Sequence, residues 1–283
     1  METDRIQRAT SDDGTTIAGR VYGEGPPLVL VHGAMADGPI EWSELLPHLV
    51  DRFTCYLPDM RNRGLSDPHP DPSRAARVRD TVAFVESIGE PVALMGASGG
   101  GMTTLGATAA SDMVRVAAAH EPIVFEAMDA ATRTAYDNLL EQVVEYAERG
   151  DRMAVAETFF TWITNDAEFA AFSGDTDAMA EVASFVPVDL AEFREAFRGQ
   201  GQSPTAPETL RTIDVPLLVT YGGATGQRWF ADSARFAAER IPTATLRELD
   251  GLGHAAHLLD PERIASEVAN FVSSTLAPTR IAG

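Results

Sequence analysis

The sequence predicts an α/β protein built on a mostly parallel, eight-stranded sheet with helices on both faces and a helical insertion after the sixth strand. Three observations predict it. Short, nearly continuous apolar runs recur at Pro27 to His32, Phe53 to Leu57, Pro91 to Met95, Val114 to His120 and Pro216 to Tyr221, the pattern of strands buried on both faces of a parallel sheet. Helix-compatible stretches separate them. One long segment, about 122–207, breaks the alternation: it reads as helices only and carries eight of the thirteen phenylalanines plus Trp162.

The elements follow in order. Ile6 to Thr10 and Thr15 to Tyr22 flank Ser-Asp-Asp-Gly, a turn signal that predicts an opening β-hairpin. Helices are expected over Trp42 to Val50, Ser73 to Ile88, Gly100 to Ala110, Trp229 to Arg240 and Pro261 to Leu276, and an eighth strand over Ala244 to Leu249. The predicted division is a core domain of residues 1–121 and 208–283, with a helical cap of residues 122–207.

Composition excludes several classes. A net charge of -20 over 283 residues repels nucleic-acid backbone and anionic membrane surfaces, so neither is an expected partner. Every basic residue is arginine, and without lysine there is no Schiff-base chemistry and no P-loop lysine. The one cysteine, Cys55, falls in an apolar run and reads as a buried strand residue. The first ten residues hold no apolar signal segment and no later run reaches the length of a membrane span, so the expected location is cytoplasmic. No cluster has metal-ligand spacing, and neither metal nor organic cofactor is expected. A homodimer is the expected assembly on symmetry grounds alone.

The strongest chemical signal is Gly96-Ala97-Ser98-Gly99-Gly100, a G-x-S-x-G between an apolar strand and a helix-compatible run. A serine there sits on a tight elbow, and the following helix points free N–H groups at a developing oxyanion. Val31-His32-Gly33-Ala34 ends another strand, so Gly33 or Ala34 can supply one oxyanion donor and Gly99 the other; His32 reads as structural. Gly251-Leu252-Gly253-His254 precedes the last helix and places an imidazole where it can reach the serine. His254 is the expected base, and His257 a packing residue.

The order of these motifs resembles the α/β-hydrolase superfamily over essentially the whole chain, and Asp59 to Ser66 resembles that superfamily's D-x-x-G-x-G-x-S loop. One departure matters. The resemblance implies an aspartate after the strand Pro216 to Tyr221, but Gly222-Gly223-Ala224-Thr225-Gly226-Gln227 has no carboxylate. Glu121, ending the sixth strand, is the candidate acid, with Asp250 as the alternative. An acid in that position resembles haloalkane dehalogenases and zearalenone lactone hydrolases; serine rather than aspartate at the elbow favours the second comparison. Pro58-Asp59-Met60, Gly96-Ala97-Ser98, His120-Glu121 and Gly222-Gly223-Ala224-Thr225 are similar to short stretches of those lactonases. The resemblance implies a Ser98, His254, Glu121 triad acting on a hydrophobic ester or lactone, a zearalenone-type macrolactone above all. Phe125, Met128 and Trp162 of the insertion are the expected substrate-binding residues. The rival expectations are a cofactor-free C–C bond hydrolase or lyase on the same triad, and a non-catalytic small-molecule receptor.

Overall fold

The computed structural model describes residues 5–173, 176–196 and 203–276. Strands β1 (Ile6–Thr10) and β2 (Thr16–Tyr22) form the expected hairpin. Then come β3 (Pro27–Val31), β4 (Thr54–Pro58), β5 (Val92–Ala97), β6 (Val114–His120), β7 (Leu217–Gly222) and β8 (Ala244–Leu249). They make one eight-stranded sheet in the order β1-β2-β4-β3-β5-β6-β7-β8, antiparallel only where β2 meets β1 and β4.

The continuous apolar runs are explained by burial on both faces. In β3, Leu28 and Leu30 enter one apolar cluster while Val29 and Val31 enter the other. Helices α1 (Gly38–Trp42), α2 (Arg74–Ser87) and α3 (Ser98–Ala110) follow β3, β4 and β5. Five helices stand between β6 and β7: α4 (Ala130–Glu148), α5 (Arg152–Ile163), α6 (Asp166–Ser173), α7 (Thr176–Ala183) and α8 (Val186–Ala196). Residues 174–175 and 197–202 of the expected insertion lie outside the described residues. The chain continues through α9 (Pro207–Leu210), α10 (Arg228–Arg240), α11 (Ala256–Leu259) and α12 (Pro261–Leu276). Phe84 and Val85 of α2, Leu105 of α3 and Ala234 of α10 pack on one face. Ile264, Val268 and Val272 of α12 pack on the other with Trp42 and Leu45.

One predicted helix is misplaced. Trp42 to Val50 is not a continuous helix: α1 ends at Trp42, and only a single 3-10 turn follows at Leu46–His48. Pro47 cannot donate inside a helix and clashes with the preceding turn. Asp37 and Pro39 instead start the helix earlier, with the Asp37 carboxylate accepting the Ile40 N–H at 3.0 Å. Cys55 is fully buried in β4 as expected, and burial pushes its thiol up to about 12.

Sheet register levels the chemistry. Val31 pairs with Gly96, Gly96 with Ala119, Ala119 with Val219 and Val219 with Leu246. The residues just beyond this row, including Ala34, Ser98 and Glu121, therefore emerge along one edge at the carboxyl ends of the strands. The approach of α3 to β3 is close: a methyl on Gly100 would stand 2.1 Å from the Val31 carbonyl oxygen. Gly100→Ala is therefore expected to lower unfolding free energy by on the order of 2 kcal/mol, measured by chemical denaturation. An unchanged midpoint would contradict the close packing of elbow and strand.

Candidate active site

Ser98 begins α3 directly after β5, with φ +54. This left-handed conformation is uncommon for a residue with a side chain, and it turns the serine out of the strand path onto the sheet edge. The flanking glycines make the turn sterically possible, since a methyl on Gly96 would meet the Gly100 carbonyl oxygen at 2.3 Å. The loop after β3 lies alongside. A methyl on Gly33 would stand 3.4 Å from Ser98 Cβ, and one on Gly99 would stand 4.0 Å from Ala34 N. The three residues expected to supply oxyanion donors thus flank the serine.

Glu121 follows β6 with φ +42 and is fully buried. Its Oε2 accepts from His254 Nδ1 at 2.7 Å and from the Thr225 hydroxyl at 3.1 Å, while Oε1 accepts the Gly222 N–H at 2.8 Å. Burial pushes this carboxyl up, but His254, the neighbouring His120 and the Gly222 N–H outweigh it and hold the group below its ordinary value. The group is therefore a carboxylate at neutral pH, and it fixes the proton of neutral His254 on Nδ1, leaving Nε2 free to accept. Asp250, the alternative acid, is exposed.

Several contacts that hold the histidine were not anticipated from sequence. Phe230 stacks on the His254 ring with centroids 4.0 Å apart. His120 bridges Thr220 Oγ1 at 2.9 Å and the Gly253 carbonyl at 3.1 Å, tying the histidine loop to β6 and β7. Burial pulls His120 down to about 4, so it is neutral and donates one proton to Gly253. Its only sequence signal was adjacency to Glu121.

The other histidines have separate partners. His32 is buried; Nδ1 faces the Gly33 carbonyl at 2.8 Å and Nε2 accepts the Met60 N–H at 3.0 Å, so it joins the β3 loop to the Asp59 loop. His257 lies in α11, paired through Nε2 with Glu41 at 3.0 Å and packed on Trp42.

Ser98 and His254 share a cavity of about 270 Å³, lined also by Gly33, Ala34, Met35, Phe159, Met179 and Val182. A second space of about 50 Å³ meets it at Ser98 and Ala34, and Gly99, Phe125, Trp162 and Trp229 line it. Of the three expected substrate-binding residues, Phe125 and Trp162 line this smaller space. Met128 packs in the aromatic cluster beside it and is not among the residues lining either cavity. Among the described residues no group of three or more His, Cys, Asp or Glu side chains is arranged to hold a metal ion. Nor is any helix among them long and apolar enough to cross a membrane.

A serine elbow after the fifth strand of such a sheet, facing a histidine loop after the eighth, is the architecture of the α/β-hydrolases. The chain belongs to the alpha/beta hydrolase family, whose profile matches residues 28–267. It is 25% identical over 264 residues to a pyrrolizixenacetamide deacetylase of Xenorhabdus hominickii, covering 91% of this chain and 95% of that one. Among solved structures it resembles the esterase RhEst1 from Rhodococcus sp. ECU1013, with 26% identity, a TM-score of 0.73, and coverage of 95% of this chain and 99% of that one. The 2-hydroxy-6-oxo-6-phenylhexa-2,4-dienoate hydrolase of Rhodococcus sp. strain RHA1 shares the fold with a TM-score of 0.75 at 18% identity, over 95% of this chain and 99% of that one.

Two outcomes follow. Glu121→Gln keeps the size of the side chain but removes the charge that stabilises the imidazolium, and is expected to lower kcat by roughly 10²- to 10⁴-fold with an unchanged circular dichroism spectrum; near-normal turnover would remove Glu121 from the unit. The second concerns pH. His120 has a folded pKa of about 4 against an ordinary 6.5, so between these values the unfolded chain binds the proton more readily. Its contribution to stability is complete above pH 6.5 and is lost as pH falls toward 4, by at most about 3 kcal/mol. His120→Asn should flatten the slope of unfolding free energy between pH 7 and 5, and an unaltered slope would contradict the assignment.

Proposed function

We propose that this hydrolase cleaves a hydrophobic carboxylic ester or lactone through a Ser98, His254, Glu121 triad and an acyl-enzyme. The observation that carries the reading is the buried 2.7 Å bond from His254 Nδ1 to Glu121, on an imidazole that shares its cavity with Ser98. His254 Nε2 takes the proton as Ser98 Oγ attacks the carbonyl carbon. The tetrahedral oxyanion is held by backbone N–H groups of Gly99 and the Gly33 to Ala34 loop, with the α3 N-terminus behind them. His254 then returns the proton to the leaving oxygen. Water, activated by the same imidazole, cleaves the acyl-enzyme.

Substrate class is argued from the two spaces that meet at Ser98. The acyl and alcohol portions of an ester lie on opposite sides of its carbonyl, and one lobe can receive each. Both lobes are lined mainly by apolar and aromatic side chains, which favours a hydrophobic substrate. In this reading residues 122–207 act as a cap over the sheet edge, and Phe125 and Trp162 contact the substrate from the smaller lobe. Ester and amide cleavage pass through the same acyl-enzyme, in keeping with the deacetylase and esterase names of the two relatives. A zearalenone-type macrolactone is the particular substrate proposed, on the lactonase-like motifs around Ser98, Glu121 and Gly222.

The test is hydrolysis of p-nitrophenyl acetate, p-nitrophenyl octanoate and zearalenone by the native chain and by Ser98→Ala. Octanoate should be preferred to acetate, and zearalenone opened, with all three activities lost in the variant. Cleavage of the aryl esters without zearalenone would retain the serine esterase and reject the macrolactone. No cleavage of any of them would reject the ester and lactone reading.

A further inference from the structure

The inserted helices reach the catalytic edge with more than apolar lining. Two of their carboxylates, Glu168 of α6 and Asp189 of α8, are buried at 4% and 0% exposure. Each accepts a backbone N–H from a loop on the sheet edge. Glu168 Oε1 takes the N–H of Ala255 at 2.9 Å, and Asp189 Oδ2 takes that of Met35 at 2.8 Å. Ala255 is the residue after His254. Met35 is the residue after Ala34.

We infer that Glu168 and Asp189 are positioning residues through which the inserted helices hold the histidine loop and the oxyanion loop in working geometry. The inference rests on the serine-hydrolase reading given above.

Local chemistry explains how each carboxylate is held. Asn165 and Glu168 form a capping box at the start of α6: Asn165 Oδ1 accepts the Glu168 N–H at 3.0 Å, and Glu168 Oε2 accepts the Asn165 N–H at 3.2 Å. The box fixes the glutamate and leaves its other oxygen for Ala255. It also fills the space beside the loop, since a methyl on Gly253 would stand 2.6 Å from a Glu168 oxygen. A larger residue before His254 is therefore excluded by the insertion itself.

Asp189 works with Arg63. Its Oδ1 lies 2.8 Å from Arg63 Nη2, and Arg63 Nη1 donates to the Ala36 carbonyl at 2.8 Å. The buried ion pair thus grips the loop at two points, accepting from Met35 and donating to Ala36. Met35 needs such a grip because its φ is +58, a left-handed conformation costly for a side chain of that size. Without it the loop is free to relax, and the Ala34 N–H is displaced from the position where the oxyanion forms. A carboxylate is suited to the task because it accepts from the backbone and balances Arg63 in one group.

The experiment compares the native chain with Glu168→Ala, Glu168→Gln, Asp189→Ala and Asp189→Asn. The first readout is the rate at which a fluorophosphonate labels Ser98, its oxygen displacing fluoride from phosphorus, followed by intact mass. The second is hydrogen exchange at the Met35 and Ala255 amides. Each alanine variant should slow labelling about tenfold or more. Exchange should accelerate at Ala255 alone in Glu168→Ala and at Met35 alone in Asp189→Ala. Glu168→Gln keeps an acceptor oxygen and should recover most of the labelling rate. If Asp189→Ala fails to fold, Asp189→Asn and the Glu168 pair decide the matter. Labelling at the native rate in Glu168→Ala, with Ala255 exchange accelerated, would overturn the proposal. So would equal losses in Glu168→Ala and Glu168→Gln with exchange raised throughout the insertion. A native chain whose serine is not labelled would overturn the serine-hydrolase reading itself, a result distinct from either.

Discussion

The site depends on one buried hydrogen bond, from His254 Nδ1 to the Glu121 carboxylate. A carboxylate removed from water on this scale is costly unless partners replace its hydration. Here a hydroxyl, a backbone N–H and an imidazole do so, and they come from the ends of different strands. Those partners can converge only if Glu121 turns sharply off β6, which its left-handed backbone permits. The same bond sets the tautomer of His254. Energetics, geometry and proton chemistry are joined at this point.

The acid stands after β6, while the loop after β7 has no carboxylate. That loop is still part of the arrangement, because its Gly222 N–H and Thr225 hydroxyl are the groups that satisfy Glu121. A donor-rich loop and an acid on the neighbouring strand exchange the roles that one aspartate would otherwise combine. His120 adds a neutral brace, joining β6, β7 and the Gly253 carbonyl without adding charge to the pocket. Phe230 covers one face of the imidazole with an apolar ring, which limits its contact with water.

Much of this was legible in the sequence because it rests on local pattern. Apolar runs gave the strands, and the glycines around Ser98 marked a turn whose backbone approaches allow no side chain. The missing carboxylate between Gly222 and Gln227 directed attention to Glu121. What escaped was non-local. Phe230 reads as one more apolar residue at the start of a helix, and nothing near His120 signals its bond to a carbonyl 133 positions away. Glu168 does carry a local signal, the Asn-x-x-Glu capping pattern, but that pattern predicts only a helix start. Its second acceptance, from Ala255, requires the fold. Asp189 and Arg63 lie 126 positions apart, and their pairing has no local sequence signature. The helix misplaced over Trp42 to Val50 came from following apolar periodicity through Pro47.

The central claim is that Glu121 holds the His254 proton on Nδ1, and nitrogen-15 NMR of histidine-labelled protein above the imidazole's titration range tests it most directly. His254→Gln identifies the resonances. The account predicts a protonated Nδ1, with its proton shifted far downfield, and an unprotonated Nε2 in the native chain, the pattern being lost in Glu121→Ala. A native His254 protonated on Nε2 would contradict it, because that imidazole could not accept the proton of Ser98.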